Sequence, residues 1–496
     1  MSLLIYLIVV PLAAAFLTAL LGRRFRNCGE TLGVLAAGAS LILSSILIKS
    51  SFLHKIMVYK IGGWLPPTGI CLVADGLAVF MLFTVNLIVF FALLYALDYM
   101  KIYTGTWKFY SLFMLMSAGM NGVILSGDIF NLYVFLELAS LCAYALVAFG
   151  TAPEDLEASF KYAMMGVLAS LLILLGIALL YSFTSTLNMA DMSLVLSARP
   201  LGAPVVFVSV LFLAGFGLKA AIVPFHAWLP DAHSSAPTPV SAVLSGVFIK
   251  TLGIYALSRI FFNVLGVSTK LLFILMFLGA LSMIVGALLA IIQNDIKRML
   301  AYSSISQVGY ILLALGIGTP LALLGGLFHL FNHAVFKSLL FLNAGAIEYS
   351  TGERNLNKLG GLNSKIPVSG STSLIASMSI SGVPPFAGFW SKLIIIIACI
   401  QARYFSFAII AGVVSIVTLA YYVKFQTFAF FGKSHEGLSR IREISPAMKL
   451  SLIILALICT AAGLMLIPAL RHPLDAAVSV LSSGWGYQAA VFSAVQ

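Results

Sequence analysis

Fourteen apolar stretches, each long enough to cross a ~30 Å hydrocarbon core as a helix, recur from one end of this chain to the other. In lipid the backbone must satisfy its own polar groups, and a continuous apolar run of this length does so as a helix. The sequence therefore predicts an all-α membrane protein of about 14 transmembrane helices. The expected spans are 2–21, 30–49, 75–97, 108–126, 128–149, 160–183, 203–223, 236–258, 268–291, 298–318, 321–346, 370–396, 405–430 and 447–469. Only 9% of the 496 residues are charged and the mean hydropathy is +1.09, against about 25% charged residues in a soluble domain. The longest polar pieces, 50–74 and 432–446, are of loop size, so 1–496 reads as a single polytopic domain. Residues 59–73, with Trp64, Pro66, Pro67 and Gly69, have room for a small hairpin on the outer face.

The first span is apolar from Leu3, lacks a basic segment before it, and is followed by Arg23, Arg24 and Arg26, which reads as an uncleaved anchor. Loops on that face, including 432–449, hold more Lys and Arg than those opposite, so this face is expected to be cytoplasmic and both termini external to a cell inner (plasma) membrane. The net charge of +12 is spread over short loops and intramembrane positions rather than one soluble face, which argues against nucleic acid. Cys28, Cys71, Cys142, Cys399 and Cys459 are scattered, without C-x-x-C spacing, so no disulfide framework, metal or iron–sulfur cofactor is indicated. Any redox chemistry would belong to a partner.

Within the spans stand Lys219, Lys250, Lys337, Lys392 and Lys424, with Glu137 as the only acid expected at similar depth. A charge at the bilayer centre costs about 2.5–3.5 kcal/mol on insertion scales, so such groups face protein, water or one another and mark ion pathways. Burial disfavours the charged form and an opposite charge nearby favours it, so buried groups of this kind exchange protons as their partners move. Two spans carry breakers beside a lysine: Pro224 follows Lys219 in GLKAAIVPFHAWLP, and Gly382, Pro384, Pro385 and Gly388 precede Lys392 in SGVPPFAGFWSK. These are spans seven and twelve, five apart, which suits two inverted five-helix repeats, helices 4–8 (108–258) and 9–13 (268–430), flanked by 1–97 and 447–496.

His329, His333 and Lys337 recur every fourth residue and form one stripe of span eleven. Histidine titrates near neutral pH, so the stripe is a candidate link between half-pathways, and packing histidines bonded to backbone are the alternative. His226 either caps the broken helix or carries protons. Lys424, near Tyr421, Tyr422 and Phe425, suits a structural amine that snorkels toward an interface. Ser245, Thr251, Ser303, Ser306, Asn332 and Ser391 are candidates for filling gaps in a relay. Asp75 and Asp128 stand at helix starts, where a carboxylate favours the positive dipole end.

The chain resembles the antiporter-like subunits of respiratory complex I, membrane-bound hydrogenases and Mrp-type sodium/proton antiporters. The resemblance rests on FNLYVFLE (130–137), KAAIVPFHAWLPD (219–231), AHSSAPTPVS (232–241), KRMLAYSSISQ (297–307) and HAVFK (333–337), and within the family it is most similar to the D-type subunits of Mrp antiporters. The resemblance implies that Glu137 and Lys219 form a modulating ion pair, that Lys250 is a bridging base, and that Lys392 ends the hydrophilic axis. Some family members carry glutamate at that last site, and others extend beyond span fourteen into a long lateral helix, where this chain stops.

The leading expectation is a proton-translocating subunit of a multisubunit monovalent cation (Na+)/proton antiporter, partnered by other membrane subunits and moving H+ with Na+. The alternative is the proton pump of a redox-driven complex, and in either case the chain holds no catalytic redox centre of its own. A membrane enzyme acting on lipid or sugar with His226 or His333 as base lacks a second acid, a nucleophile motif and a metal set.

Overall fold

A computed structural model describes residues 3–25, 27–52, 56–198, 202–433, 441–484 and 486–495. Among them, twelve helices are long and apolar enough to cross a membrane. The remaining two expected spans are the two broken ones, Ala203–Lys219 followed by Trp228–Ser235, and Pro367–Ser381 followed by Ala387–Gln401. The fourteen spans thus occur in the expected order, and the chain is a multi-pass membrane protein.

Several boundaries differ from the sequence reading. Span six runs Pro153–Thr184 and span eleven Pro320–Thr351, each 32 residues and longer than expected at both ends; a proline in the first turn starts each helix. The apolar run of span seven extends to 223, but the first half of its helix stops at Lys219. Span eight continues from Thr238 to Leu265 through three stretches of π-helix, Leu244–Phe248, Lys250–Tyr255 and Arg259–Leu265. Three short helices are not foreseen by the sequence pattern: Met189–Ser197, His472–Ser482 and Gly486–Val495. The expected hairpin forms between strands Met57–Lys60 and Cys71–Ala74, paired antiparallel with Met57 opposite Ala74. Part of the expected 432–446 loop, residues 434–440, lies outside the described residues.

An internal repeat is written into the backbone. Asp128 caps the start of span five and bridges Asn188; Asp295, at the same separation from Asn355, caps span ten and bridges it. Each aspartate accepts from the amide three residues on, Asn131 at 2.8 Å and Arg298 at 2.9 Å. The two 32-residue helices occupy matching places between these bridges. Five crossings separate the corresponding spans, and an odd number returns the chain to the opposite face, so the second repeat is inverted. Spans nine and ten pack along each other through Gly279 and Gly286 against Gly309 and Gly316, where an added Cβ would meet backbone atoms of the facing helix.

Glu137 is not the only deep acid. Asp75 caps span three by accepting from Ala78 at 2.9 Å, as its position suggested, but it also takes both arms of Arg259, at 2.6 and 2.8 Å. This pair is buried, with Tyr255 and Tyr487 over the guanidinium. Asn263 accepts from Arg259 and donates to Val480 and Gly484 carbonyls, which ties the C-terminal helices to the end of span eight. Arg259→Ala would strand the Asp75 carboxylate without its cation, and breaking one side of a buried pair costs about 3–5 kcal/mol. We expect a marked loss of thermal stability in detergent, with Asp75→Asn/Arg259→Gln less damaged than Arg259→Ala; equal stability of wild type and Arg259→Ala would refute this.

Candidate proton-transfer axis

The first half of span seven ends on Lys219, and the chain then turns through Ala221, at φ 54°. Pro224 interrupts helical bonding as expected, and the freed groups find specific partners: Trp228 Nε1 donates to Leu218 O (3.1 Å), and Val223 N donates to Ser282 Oγ (3.0 Å). The Lys219 amine is buried and lies 3.5 Å from Glu137 of span five, while donating to Ser140 Oγ at 2.9 Å and Tyr144 OH at 3.5 Å. Ser170 of span six donates to the same Glu137 oxygen. The structure therefore brings Glu137 and Lys219 together, with Glu137 at the partly exposed edge of the group and Lys219 inside it.

Lys250 stands in the π-helical part of span eight, fully buried. The Lys250 amine donates to two carbonyls of its own span, Ser245 O (2.7 Å) and Gly246 O. Two glycines on either side of Lys250 set its neighbours. A Cβ at Gly253 would overlap Ala220, the residue after Lys219; one at Gly246 would overlap Ser338 of span eleven. The span carrying Lys250 is thus wedged between the break beside Lys219 and the stripe of span eleven.

On that stripe the rings of His329 and His333 lie 6.3 Å apart, and Lys337 donates to Tyr422 OH at 3.2 Å between the faces of Phe341 and Tyr422. Tyr422 continues to Ser303 at 2.9 Å, and His329 Nδ1 is 2.9 Å from Ser391, one residue before Lys392. Lys392 lies in the second half of span twelve and reaches back across the break to Ile380 O (2.7 Å) and Ser415 Oγ (3.2 Å), with Tyr310 beneath it at 4.9 Å. The break itself is closed by Ser415 donating to Ser381 O, Gly388 N to Ser379 Oγ, and Asn332 Nδ2 to Ala387 O.

The named polar candidates divide. Ser303 and Ser391 touch the charged row, and Ser245 joins Ser304 at 2.6 Å, whereas Thr251 and Ser306 bond only to backbone carbonyls. Between the histidines, several buried atoms have no protein partner among the described residues: His329 Nε2, both ring nitrogens of His333, Asn332 Oδ1, and the side-chain amide of Gln307. Buried polar atoms are paired in folded proteins, commonly through ordered water, so this stretch is suited to a water chain. Lys424 is not in the row: it donates to Ile291 O, Gln293 O and Asn294 Oδ1, capping the end of span nine. His226 stands inside the break, between the two halves of span seven.

Two buried basic groups escape the sequence reading because they fall near predicted span ends. Lys297 donates to Ala236 O (3.0 Å) and pairs with Glu348 at 3.2 Å. His233 packs against Phe341, centroids 5.0 Å apart, on the ring that also faces Lys337. Among the described residues, no group of three or more His, Cys, Asp and Glu side chains is placed to hold a metal ion.

Residues 126–418 match the family model described as NADH:quinone oxidoreductase/Mrp antiporter, transmembrane. The N subunit of an NADH-quinone oxidoreductase from Desulforudis audaxviator is 37% identical over 458 residues, covering 90% of each chain. The D subunit of a Na(+)/H(+) antiporter from Alkalihalophilus pseudofirmus is 33% identical, covering 86% of this chain and 87% of that protein. A chain in the Mrp complex from Dietzia sp. DQ12-45-1b aligns at TM-score 0.90 with 27% identity, covering 100% of this chain and 99% of its own. A chain of an archaeal membrane-bound sulfane sulfur reductase aligns at 0.92 with 31% identity, covering 99% and 100%. Taken with the fold and the buried row, these relationships establish that the chain belongs to the transmembrane family of NADH:quinone oxidoreductase and Mrp antiporter subunits.

Proposed function

We propose that this chain is a proton-translocating subunit of a multisubunit monovalent cation (Na+)/proton antiporter. Glu137, Lys219, Lys250, His329, His333, Lys337 and Lys392 carry protons along the middle of the membrane. Glu137 and Lys219 act as a switch, since moving the carboxylate away from the amine releases the proton the pair holds. Lys250 bridges to the span-eleven stripe, and Lys392 ends the row. The observation that carries this reading is the placement of three lysines, Lys219, Lys250 and Lys392, beside broken or π-helical backbone, with Lys337 on the continuous helix of span eleven; each of the four amines is held by hydrogen bonds to neutral oxygens rather than locked into multiple salt bridges. The row holds one carboxylate among amines, a poor set for Na+, so the sodium step belongs elsewhere in the assembly.

The second reading, a proton pump driven by a redox complex, is favoured by the 37% identical oxidoreductase relative and by the sulfane sulfur reductase likeness. The same row would then be driven by electron transfer in partner proteins. In both cases we place the protein in the plasma membrane, with the Arg23–Arg24 face cytoplasmic and both termini outside, and with repeats 108–258 and 268–430 forming one domain with their flanks.

Purification of the native assembly in mild detergent and mass spectrometry of its subunits separates the two. Small membrane subunits with a larger antiporter-like chain, and no iron–sulfur proteins, support the antiporter; recovery with iron–sulfur or quinone-binding subunits replaces it with the redox pump. Glu137→Gln and Lys219→Ala should each assemble at normal abundance yet lower coupled proton flux in proteoliposomes about tenfold or more, the equivalent of at least one pKa unit of differential protonation. Unchanged flux in both would contradict the relay. Gly253→Val drives a side chain into Ala220, an overpacking cost of about 1–3 kcal/mol. It is expected to lower both melting temperature and flux, while the same substitution at Gly412, where nothing lies within 4 Å, leaves both near wild type.

A further inference from the structure

The turn after span one and the turn before span four enclose a basic bowl that the proton row does not use. Its volume is about 780 Å³, and Arg23, Arg24, Glu30, Lys101, Tyr103 and Trp107 line it. Lys101 is held by Asp98. Arg23 and Arg24 are exposed and enter no ion pair among the described residues, so the bowl presents two guanidiniums that no carboxylate contacts, against the single lining carboxylate of Glu30. Its aromatic wall is built in: an added Cβ at Gly22 would run into Trp107, and one at Gly29 would meet Thr18 and crowd Trp107, so these glycines let span four start flush against the first turn.

The bowl's place in the fold selects the anion. Span one ends at Leu21, span two starts at Cys28, and span four starts at Thr106, so the cavity lies at helix ends, in the headgroup layer, where tryptophan and tyrosine collect. Leu20 and Phe25, beside the arginines, are 76% and 56% exposed and continue the surface from charge into lipid. A soluble anion would use the guanidiniums alone; an anionic lipid uses both. Basic pockets between helices at this level suit phosphate headgroups.

We propose that this bowl binds the headgroup of an anionic glycerophospholipid, with its phosphate on Arg23 and Arg24 and its chains along Leu20, Leu21 and Phe25. The site is independent of the antiporter reading and holds equally for a redox pump.

The test uses the full chain with its co-purifying subunits in phosphatidylcholine nanodiscs containing brominated phosphatidylglycerol or brominated phosphatidylcholine. The Trp107 share of fluorescence is isolated by comparison with Trp107→Phe. Brominated phosphatidylglycerol should quench it and brominated phosphatidylcholine at the same mole fraction should not. Arg23→Gln/Arg24→Gln should weaken the response about thirtyfold, since each basic group near an anionic lipid contributes about 1 kcal/mol. Arg23→Lys/Arg24→Lys should recover most of it. Equal quenching by both lipids, an unchanged double glutamine variant, or displacement of the lipid by millimolar inorganic phosphate would overturn the proposal. So would loss of a co-purifying subunit from the double variant with no change in quenching, which would make the bowl a protein contact.

Discussion

An amine removed from water needs oxygen atoms, and a regular helix has none to spare in its middle. For three of its lysines this chain supplies them by breaking or widening the helices that carry them, and for Lys337 through the hydroxyl of Tyr422 on a neighbouring span. Lys219 is the last residue of a half-helix. Lys392 returns across its break to the carbonyl of Ile380, at the negative end of the preceding half-helix dipole, and Lys250 bonds to carbonyls four and five residues back on its own π-helical span. The breaks in turn depend on side chains from elsewhere: Trp228 and Ser282 at the first, Ser415 and Asn332 at the second. Charge placement and backbone irregularity are therefore one feature of the fold.

The internal repeat sets where these features fall, and side chains then divide the work between halves. The bridges Asp128 to Asn188 and Asp295 to Asn355 fix a common register. In that register Glu137 corresponds to Ser304, and Ser170, which donates to Glu137, corresponds to Lys337. His329 and His333 correspond to Tyr162 and Gly166. The first half thus holds the acid and the second the histidine and lysine stripe, while π-helical span eight stands between them. One backbone used twice yields a row that is chemically polar from end to end without repeating its chemistry.

Much of this was legible in the sequence because hydrophobic length and intramembrane charge are local signals. The fourteen spans, the hairpin, both breaks and the stripe of span eleven follow from runs, prolines and four-residue spacing, while the Glu137–Lys219 contact is the one that the family resemblance implied. The structural role given to Lys424 also agrees with its capping bonds. The unforeseen parts depend on contacts distant in sequence. Asp75 and Arg259 meet from different spans, so Asp75 read alone as a helix cap. Lys297 reads as a loop residue until Glu348 is brought beside it. The π-turns of span eight carry no pattern distinct from an ordinary apolar helix, and helices His472–Ser482 and Gly486–Val495 are too short to register as spans.

The central claim is that protons pass along the buried lysines by virtue of their place in the row, not because any buried lysine is needed for the fold. The most direct measurement is proton flux driven by a sodium gradient in proteoliposomes of the purified assembly, comparing Lys250→Ala with Lys424→Ala at matched abundance. The account predicts that Lys250→Ala abolishes flux while Lys424→Ala, which removes only a helix cap, retains most of it. Equal flux in the two variants would contradict it.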